Sequence, residues 1–212
     1  MLTTTTTNQV TIKETIKELE KAFILMNSQF FNNELTPVHI TLHTENKRVP
    51  TWYVAGKVWD SGERELSEIN ITVDCLKYGK MAVLQSLMHE LIHHLANIRE
   101  ESETSRNGHW HNKVYKRLAE EVGMYYPDKK ADSKSGYSNF EFPKEAYDMI
   151  NAWGLDDNAF IWHRNEIDGK KKTKTTSYKW TCFCPRPQIV RTSKPELRAI
   201  CPDCNEQFKL SN

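Results

Sequence analysis

The sequence lacks any continuous apolar stretch of eighteen residues, which is about the length that a membrane-spanning helix requires. Threonine dominates residues 1–9, which lack the charged and apolar regions of a signal peptide, so we expect none. Strong charge of either sign is absent too, since Lys and Arg number 29, Asp and Glu number 28, and the net charge is +1. We therefore expect a soluble, cytoplasmic protein without a membrane partner, on which any nucleic-acid surface is local.

Cysteine is scarce until the C-terminal end of the chain. Cys75 ends an apolar alternating run and is most simply a small buried hydrophobe. The other four form two close pairs, Cys182 with Cys184 and Cys201 with Cys204. In a reducing compartment such pairs favour metal binding over disulfides. Four thiolates leave zinc no open position, so we predict a structural zinc in a ribbon that spans residues 181–212.

The segment around His89, Glu90 and His93 has the pattern His-Glu-x-x-His. On a helix the two histidines project from one face, one turn apart, which is the spacing that a single zinc ion needs. Glu90 points about a quarter turn away, where it can reach a zinc-bound water without being a ligand. Apolar residues lie nearly opposite the histidines, so the helix has a core side and a chemical side.

Two histidines leave zinc underliganded, and the candidates for a third ligand are His94, His109 and His111. His94 lies about 100° round the helix from His93 and is better interpreted as solvent-facing or as a group that supports a ligand. His109 and His111 follow an Asn-Gly turn signal and open a second helical segment. We favour His111, because it would lie in the first turn with Tyr115 packed beneath it, and we keep His109 as the alternative.

Three runs of the sequence, 88–93, 104–108 and 111–116, resemble the SprT-like zinc metalloproteases, the family of the Spartan-type proteases that act on DNA–protein crosslinks. That family places its third ligand in a Gly-rich turn, with an aromatic residue four positions later. The resemblance implies three zinc ligands, His89, His93 and His111, with Glu90 as the general base. Glycine often directly precedes the third ligand in the family, whereas here Gly108 directly precedes His109. The spacing of the aromatic residue instead selects His111, because Tyr115 follows it by four positions.

The order of the predicted elements indicates an α+β fold. Residues 11–30 are expected to form a helix, residues 38–43, 52–59 and 69–75 three strands, and residues 81–98 and 110–122 the two ligand helices. Together they read as a zincin-like core over residues 10–126, with a small antiparallel three-stranded sheet packed on helices. Residues 1–9 are expected to be disordered, and residues 127–168 form a poorly defined extension.

Residues 169–180 read as a basic linker, with four lysines followed by Tyr178 and Trp180. The linker is either simply solvated or a strip that contacts phosphates and stacks on bases. C-terminal zinc ribbons accompany SprT-like domains, so the resemblance extends to residues 181–212. We therefore expect a zinc-dependent endopeptidase with one catalytic and one structural zinc, acting on protein substrates that the resemblance places on DNA. The alternative is a non-catalytic nucleic-acid-binding zinc protein, in which Glu90 would not be required.

Overall fold

A computed structural model describes residues 11–44, 49–60, 62, 65–128, 130–162 and 177–211. The chain divides into two compact units, residues 1–164 and 165–212. The predicted disordered N-terminus and most of the predicted basic linker, residues 169–176, lie outside the described residues. Across the described ranges, no helix is both long enough and apolar enough to cross a membrane.

The first unit mixes helices and strands. Its helices are α1 (Ile12–Phe30), α2 (Val73–Leu76), α3 (Lys80–Ile98), α4 (Lys113–Glu121) and α5 (Lys144–Ala152), with a 3₁₀ turn at Asp157–Phe160. Its strands are β1 (Val38–His43), β2 (Thr51–Asp60), β3 (Glu65–Thr72), β4 (Thr104–Ser105) and β5 (Trp110–His111). The predicted α+β class is therefore confirmed.

The main sheet has the strand order β1-β3-β2. Strand β3 pairs with β2 in antiparallel fashion, with Ile69 opposite Tyr53, but it pairs with β1 in parallel, with Ile69 opposite Ile40. The predicted antiparallel three-stranded sheet is therefore wrong in one of its two pairings. Alternating side chains specify which face of a strand is buried, but they do not specify which strand lies beside it.

One hydrophobic cluster holds this unit together. Helix α1 contacts β1, and helix α3 contacts both β2 and β3. The apolar side of α3 is almost completely buried, as predicted, through Leu84, Leu87, Met88, Leu91, Ile92 and Leu95. Each of these side chains contributes about 1.5–3 kcal/mol through its removal from water. Burial of this apolar side fixes helix α3 along its length. His89 and His93 lie on the opposite side of the helix, which therefore holds them in place.

Residues 127–162 also pack on this cluster. Phe142, Ile150 and Phe160 are buried in it, and the Thr15 hydroxyl on α1 donates a hydrogen bond of 2.7 Å to the Ala159 carbonyl. The segment that we predicted to be a poorly defined extension therefore contains α5 and the 3₁₀ turn. Its described residues, which end at Trp162, belong to the same compact unit as the histidines, and residues 163–168 lie outside the described residues.

The second unit contains a three-stranded antiparallel sheet of β6 (Tyr178–Thr181), β7 (Ile189–Thr192) and β8 (Lys209–Ser211), in the order β7-β6-β8. Its buried core consists of Trp180, Cys182, Cys201 and Phe208. So small a core cannot by itself offset the conformational entropy of the ordered chain. The four cysteines in and beside this core are therefore the side chains best placed to supply further stabilisation.

Candidate metal centres

Helix α3 supplies two of the clustered histidines. It begins after Gly79, whose φ of +82° lies in the left-handed region that favours glycine. His89 and His93 lie one turn apart on it, and their Nε2 atoms are 3.3 Å apart. The helical spacing that the sequence shows therefore brings these two rings to a common point.

The third histidine of the cluster is His111, which lies in strand β5. The side chain of Asn112 accepts hydrogen bonds from the backbone amides of Val114 at 2.7 Å and Tyr115 at 3.4 Å, so helix α4 begins only after Asn112. The prediction that His111 would lie in the first turn of this helix is thus wrong by two residues. Its Nε2 atom nevertheless lies 3.1 Å from that of His93.

Each of the three histidines offers one ring nitrogen to a group whose ligand atoms all lie within 4.8 Å of one another. His109 is exposed in the turn that precedes β5 and is not part of this group. The histidine cluster, meaning His89, His93 and His111, is therefore positioned to bind a metal ion.

The hydrogen bonds of the outer ring nitrogens support metal binding. Nδ1 of His93 lies 3.0 Å from the Glu103 carboxylate, and Nδ1 of His111 lies 2.9 Å from the Ser135 carbonyl. Both partners are acceptors, so both Nδ1 atoms carry a proton, and each neutral ring then presents a bare lone pair at Nε2. Two lone pairs 3.1 Å apart repel each other unless a cation lies beside them. The residues present therefore fit a metal ion.

The protonation states fit as well. Burial, together with the neighbouring His93 and His111, lowers the pKa of His89 well below its ordinary value. Burial and the neighbouring His93 lower the pKa of His111 to about 4. Burial alone would raise the pKa of Glu103, but its hydrogen bond from His93 holds that pKa below the ordinary value. Neutral imidazoles backed by an ionised carboxylate are the state that binds a divalent metal.

Glu90 is buried beside the cluster rather than within it. The Thr51 hydroxyl donates a hydrogen bond of 2.6 Å to its Oε1 atom, and the backbone of Tyr53 also hydrogen-bonds to it. Burial raises the pKa of Glu90, although His93 and Thr51 oppose the shift. A carboxylate whose pKa is raised in this way is suited to take up and release a proton.

Two cavities border this site and share part of their lining. One has a volume of about 490 Å³ and extends past Phe140, and the other has a volume of about 620 Å³ and extends past Trp52 and Tyr53. His89, Glu90 and His111 line both of them. Solvent and a ligand of peptide size therefore have access to the histidines and to the carboxylate together.

Tyr115 lies against His111, as its spacing predicted, and it also lies against His89 and His93. Its ring centre is 5.1 Å from that of His89, 4.9 Å from that of His93 and 4.5 Å from that of His111. Its hydroxyl donates to the His89 carbonyl at 3.2 Å. The fully buried ring thus supports the cluster from below.

His94 does not face solvent, so that part of its interpretation is wrong. It is 1% exposed, and its Nε2 atom donates to the Thr36 carbonyl at 2.9 Å. Its Nδ1 atom, left as an acceptor, lies 3.0 Å from the Tyr53 hydroxyl. His94 therefore ties α3 to β2 and to the segment before β1, one residue away from His93.

Several residues that hold the site were not predicted from the sequence, namely Thr51, Glu103, Ser135 and Gly136. Glu103 lies in an acidic stretch with nothing to distinguish it from its neighbours, and Thr51 precedes an ordinary strand pattern. Ser135 acts through its backbone carbonyl, which has no signature in the sequence. Only Gly136, next to a serine-rich turn, carries a signal that could have indicated a close backbone approach.

The four paired cysteines form a second group whose sulfur atoms all lie within 4.8 Å of one another. All are free of disulfides, and the Sγ atoms of Cys184 and Cys201 are 3.7 Å apart. Backbone amides of Cys184 and Gln188 lower the pKa of Cys182 to about 7. The thiolate is the form that binds metal, so this cysteine cluster is also positioned to hold a metal ion.

No protein-family model and no curated protein matches this chain.

Proposed function

We propose that the chain is a zinc-dependent endopeptidase of the SprT-like kind, with a zincin-like core in its first unit. The observation that supports this best is the combination of three clustered imidazoles and one buried carboxylate on a shared cavity wall. A purely structural metal site does not require Glu90, and it does not require access for a ligand of peptide size. The site around the histidine cluster has both this carboxylate and a cavity that admits such a ligand.

His89, His93 and His111 would hold the catalytic zinc, because three protein ligands leave one position open. When bound there, zinc lowers the pKa of a coordinated water toward neutrality and polarises a carbonyl. The cysteine cluster would hold a second, structural zinc, since four sulfur ligands complete a tetrahedron. Glu103 and the Ser135 carbonyl would keep the ligand rings in orientation through their Nδ1 atoms.

Glu90 would act as the general base and then as the general acid. The Thr51 hydroxyl donates to its Oε1 atom and the backbone of Tyr53 also hydrogen-bonds to the carboxylate, and together these bonds fix the side chain. Glu90 would accept the proton of the water that attacks the scissile carbonyl and then deliver it to the leaving amine. The raised pKa of Glu90 suits both steps, because the group must hold the proton between them.

The decisive experiment is Glu90→Gln, which keeps the size and the hydrogen bond from Thr51 but removes the base. We expect the variant to retain its zinc and to lose cleavage of an unfolded protein such as casein. Glu20→Gln, at an exposed position on α1, is the matched control and should cleave normally. A chelator should abolish the activity of the unaltered protein.

Full activity of the Glu90→Gln variant with zinc bound would refute the assignment. Absence of cleavage by the unaltered, zinc-loaded protein, with and without DNA, would favour the competing class of non-catalytic nucleic-acid-binding zinc proteins. The same assays therefore separate the two classes.

A specific observation supports nucleic-acid binding by the second unit. Lys179 lies opposite Arg191, and Thr181 lies opposite Lys209, in the register of β6 with its neighbours. Because alternate residues of a strand share a face, the three basic side chains lie on one side of this sheet, with Phe183 in contact with Lys209 at 4.6 Å. Such a basic aromatic face suits phosphates and bases.

We propose that this ribbon face brings the endopeptidase to proteins on DNA. Replacing Arg191 and Lys209 together by alanine should weaken DNA affinity and reduce its salt dependence, by a slope of about 0.7 for each phosphate of a single strand that the protein no longer neutralises. Lys194→Ala, at an exposed position of the same unit, is the control. Equal salt slopes for the double variant and the control would reject this role.

A further inference from the structure

A turn with the sequence of an ordinary loop hydrogen-bonds to the backbone of His111. Residues 132–136, here called the Asp132 turn, are closed by backbone hydrogen bonds between Asp132 and Gly136 in both directions, at 2.9 Å and 3.0 Å. The Ser135 carbonyl accepts from the His111 amide at 3.0 Å and from its Nδ1 atom at 2.9 Å. The amide of Tyr137 donates to the His111 carbonyl at 3.0 Å.

The close approach of this turn to His111 leaves no room for a side chain. A Cβ atom added to Gly136 would lie 2.1 Å from the His111 carbonyl oxygen, and the φ of Gly136 is +73°. A real Cβ cannot approach a backbone atom so closely, so any other residue would push the two segments apart. Glycine at position 136 is therefore required for this contact between the turn and the His111 backbone.

One side chain organises the turn. Oδ1 of Asp132 accepts three hydrogen bonds of 2.8 Å, from the amides of Lys134 and Ser135 and from the Ser135 hydroxyl. The Ser135 hydroxyl in turn accepts from Ser138 at 2.9 Å, and the backbone of Ser138 hydrogen-bonds to His89. The contacts of Asp132 thus reach two of the three clustered histidines through one or two links.

We propose that Asp132 is a positioning residue for the histidine metal site, which sets the orientation of His111 through the Ser135 carbonyl. The inference rests on the proposed metal site but not on peptidase activity. The core cluster does not include Asp132, so its effect on metal binding is separable from the stability of the fold. Loss of a group that bonds directly to a metal ligand typically weakens metal affinity by about 10–100-fold, and Asp132 acts one bond further away through Ser135, so we expect the lower end of that range.

The experiment measures zinc affinity of the full chain by competition with a chromophoric chelator, after the cysteine cluster has been filled. Asp132→Ala should weaken zinc binding at the histidine cluster by about 10-fold. Asp132→Asn keeps an oxygen acceptor at the same place and should stay within a few-fold of the unaltered chain, whereas Asp132→Glu keeps the charge but displaces the acceptor and should weaken binding. Asp128→Ala removes an acid from the wall of a cavity that Asp132 also lines, and it is the matched control.

A second readout tests orientation directly. With cobalt at the histidine cluster, Asp132→Ala should change the visible absorption spectrum, and Asp128→Ala should not. Equal zinc affinities and spectra for these two variants would overturn the proposal. Retained affinity in Asp132→Glu with loss in Asp132→Asn would overturn it too, since charge rather than geometry would then be the cause. Unfolding curves in urea verify that each variant is folded, and none of these readouts depends on cleavage.

Discussion

Replacing Glu103 by alanine should weaken metal binding at the histidine cluster without unfolding the protein. Glu103 accepts a hydrogen bond of 3.0 Å from Nδ1 of His93, and its side chain is 19% exposed. Its backbone carbonyl accepts from the Asn112 amide at 2.9 Å, an interaction that survives the substitution. The change therefore removes the carboxylate from behind a ligand and leaves the local backbone in place.

The size of the effect follows from that geometry. A hydrogen bond to a charged group contributes about 1.5–3 kcal/mol, and partial exposure reduces this to about 1–2 kcal/mol. Since 1.4 kcal/mol corresponds to a factor of ten, zinc affinity should fall by roughly 5- to 30-fold. Glu103→Gln retains an oxygen acceptor without the charge, so its loss should be smaller.

Competition with a chromophoric chelator measures both variants, and Glu100→Ala, at an exposed position three residues earlier, provides the control. An affinity of Glu103→Ala equal to that of Glu100→Ala would show that the carboxylate does not support His93. A larger loss for glutamine than for alanine would contradict the electrostatic argument.

Three further predictions concern the clusters and their ions. His111→Ala should remove about one equivalent of zinc and His109→Ala none, which metal analysis of the purified variants checks. The metal-free protein should lose stability as the pH falls from 6.5 toward 4, because the unfolded chain takes up protons on His89 and His111 there while the folded chain, with both pKa values lowered, does not. At pH 4 the lowered pKa of His111 alone reduces the free energy of unfolding by on the order of 3 kcal/mol. Urea unfolding of His111→Gln should therefore depend less on pH. Removal of the metal from the cysteine cluster should raise hydrogen exchange across β6, β7 and β8 but leave α3 protected, and unchanged exchange in the ribbon would show that its fold does not depend on the metal.

The sequence predicted well those features that local spacing determines. His89, Glu90 and His93 share one helix, so their relative positions follow from the helical repeat. Tyr115 lies four residues after His111, and this spacing selected the histidine that the structure brings to the cluster. The apolar side of α3 was predictable for the same reason.

Features that depend on distant backbone groups were not predictable. The parallel pairing of β1 with β3 depends on where two strands meet in space, and each strand alone fits either direction. Phe140 and Phe142 enter the core from a segment without periodicity. The Ser135 carbonyl is chemically the same as every other carbonyl, so only its position shows that it supports His111.

The two clusters differ in the donor atoms that they offer, with nitrogen in one and sulfur in the other. Thiophilic ions such as cadmium prefer sulfur, whereas cobalt and nickel accept imidazole readily. Cadmium should therefore replace the occupant of the ribbon first and spare the imidazoles. A mixed-metal form, prepared by adding cadmium before cobalt, would carry a distinct spectroscopic label at each site of a single molecule.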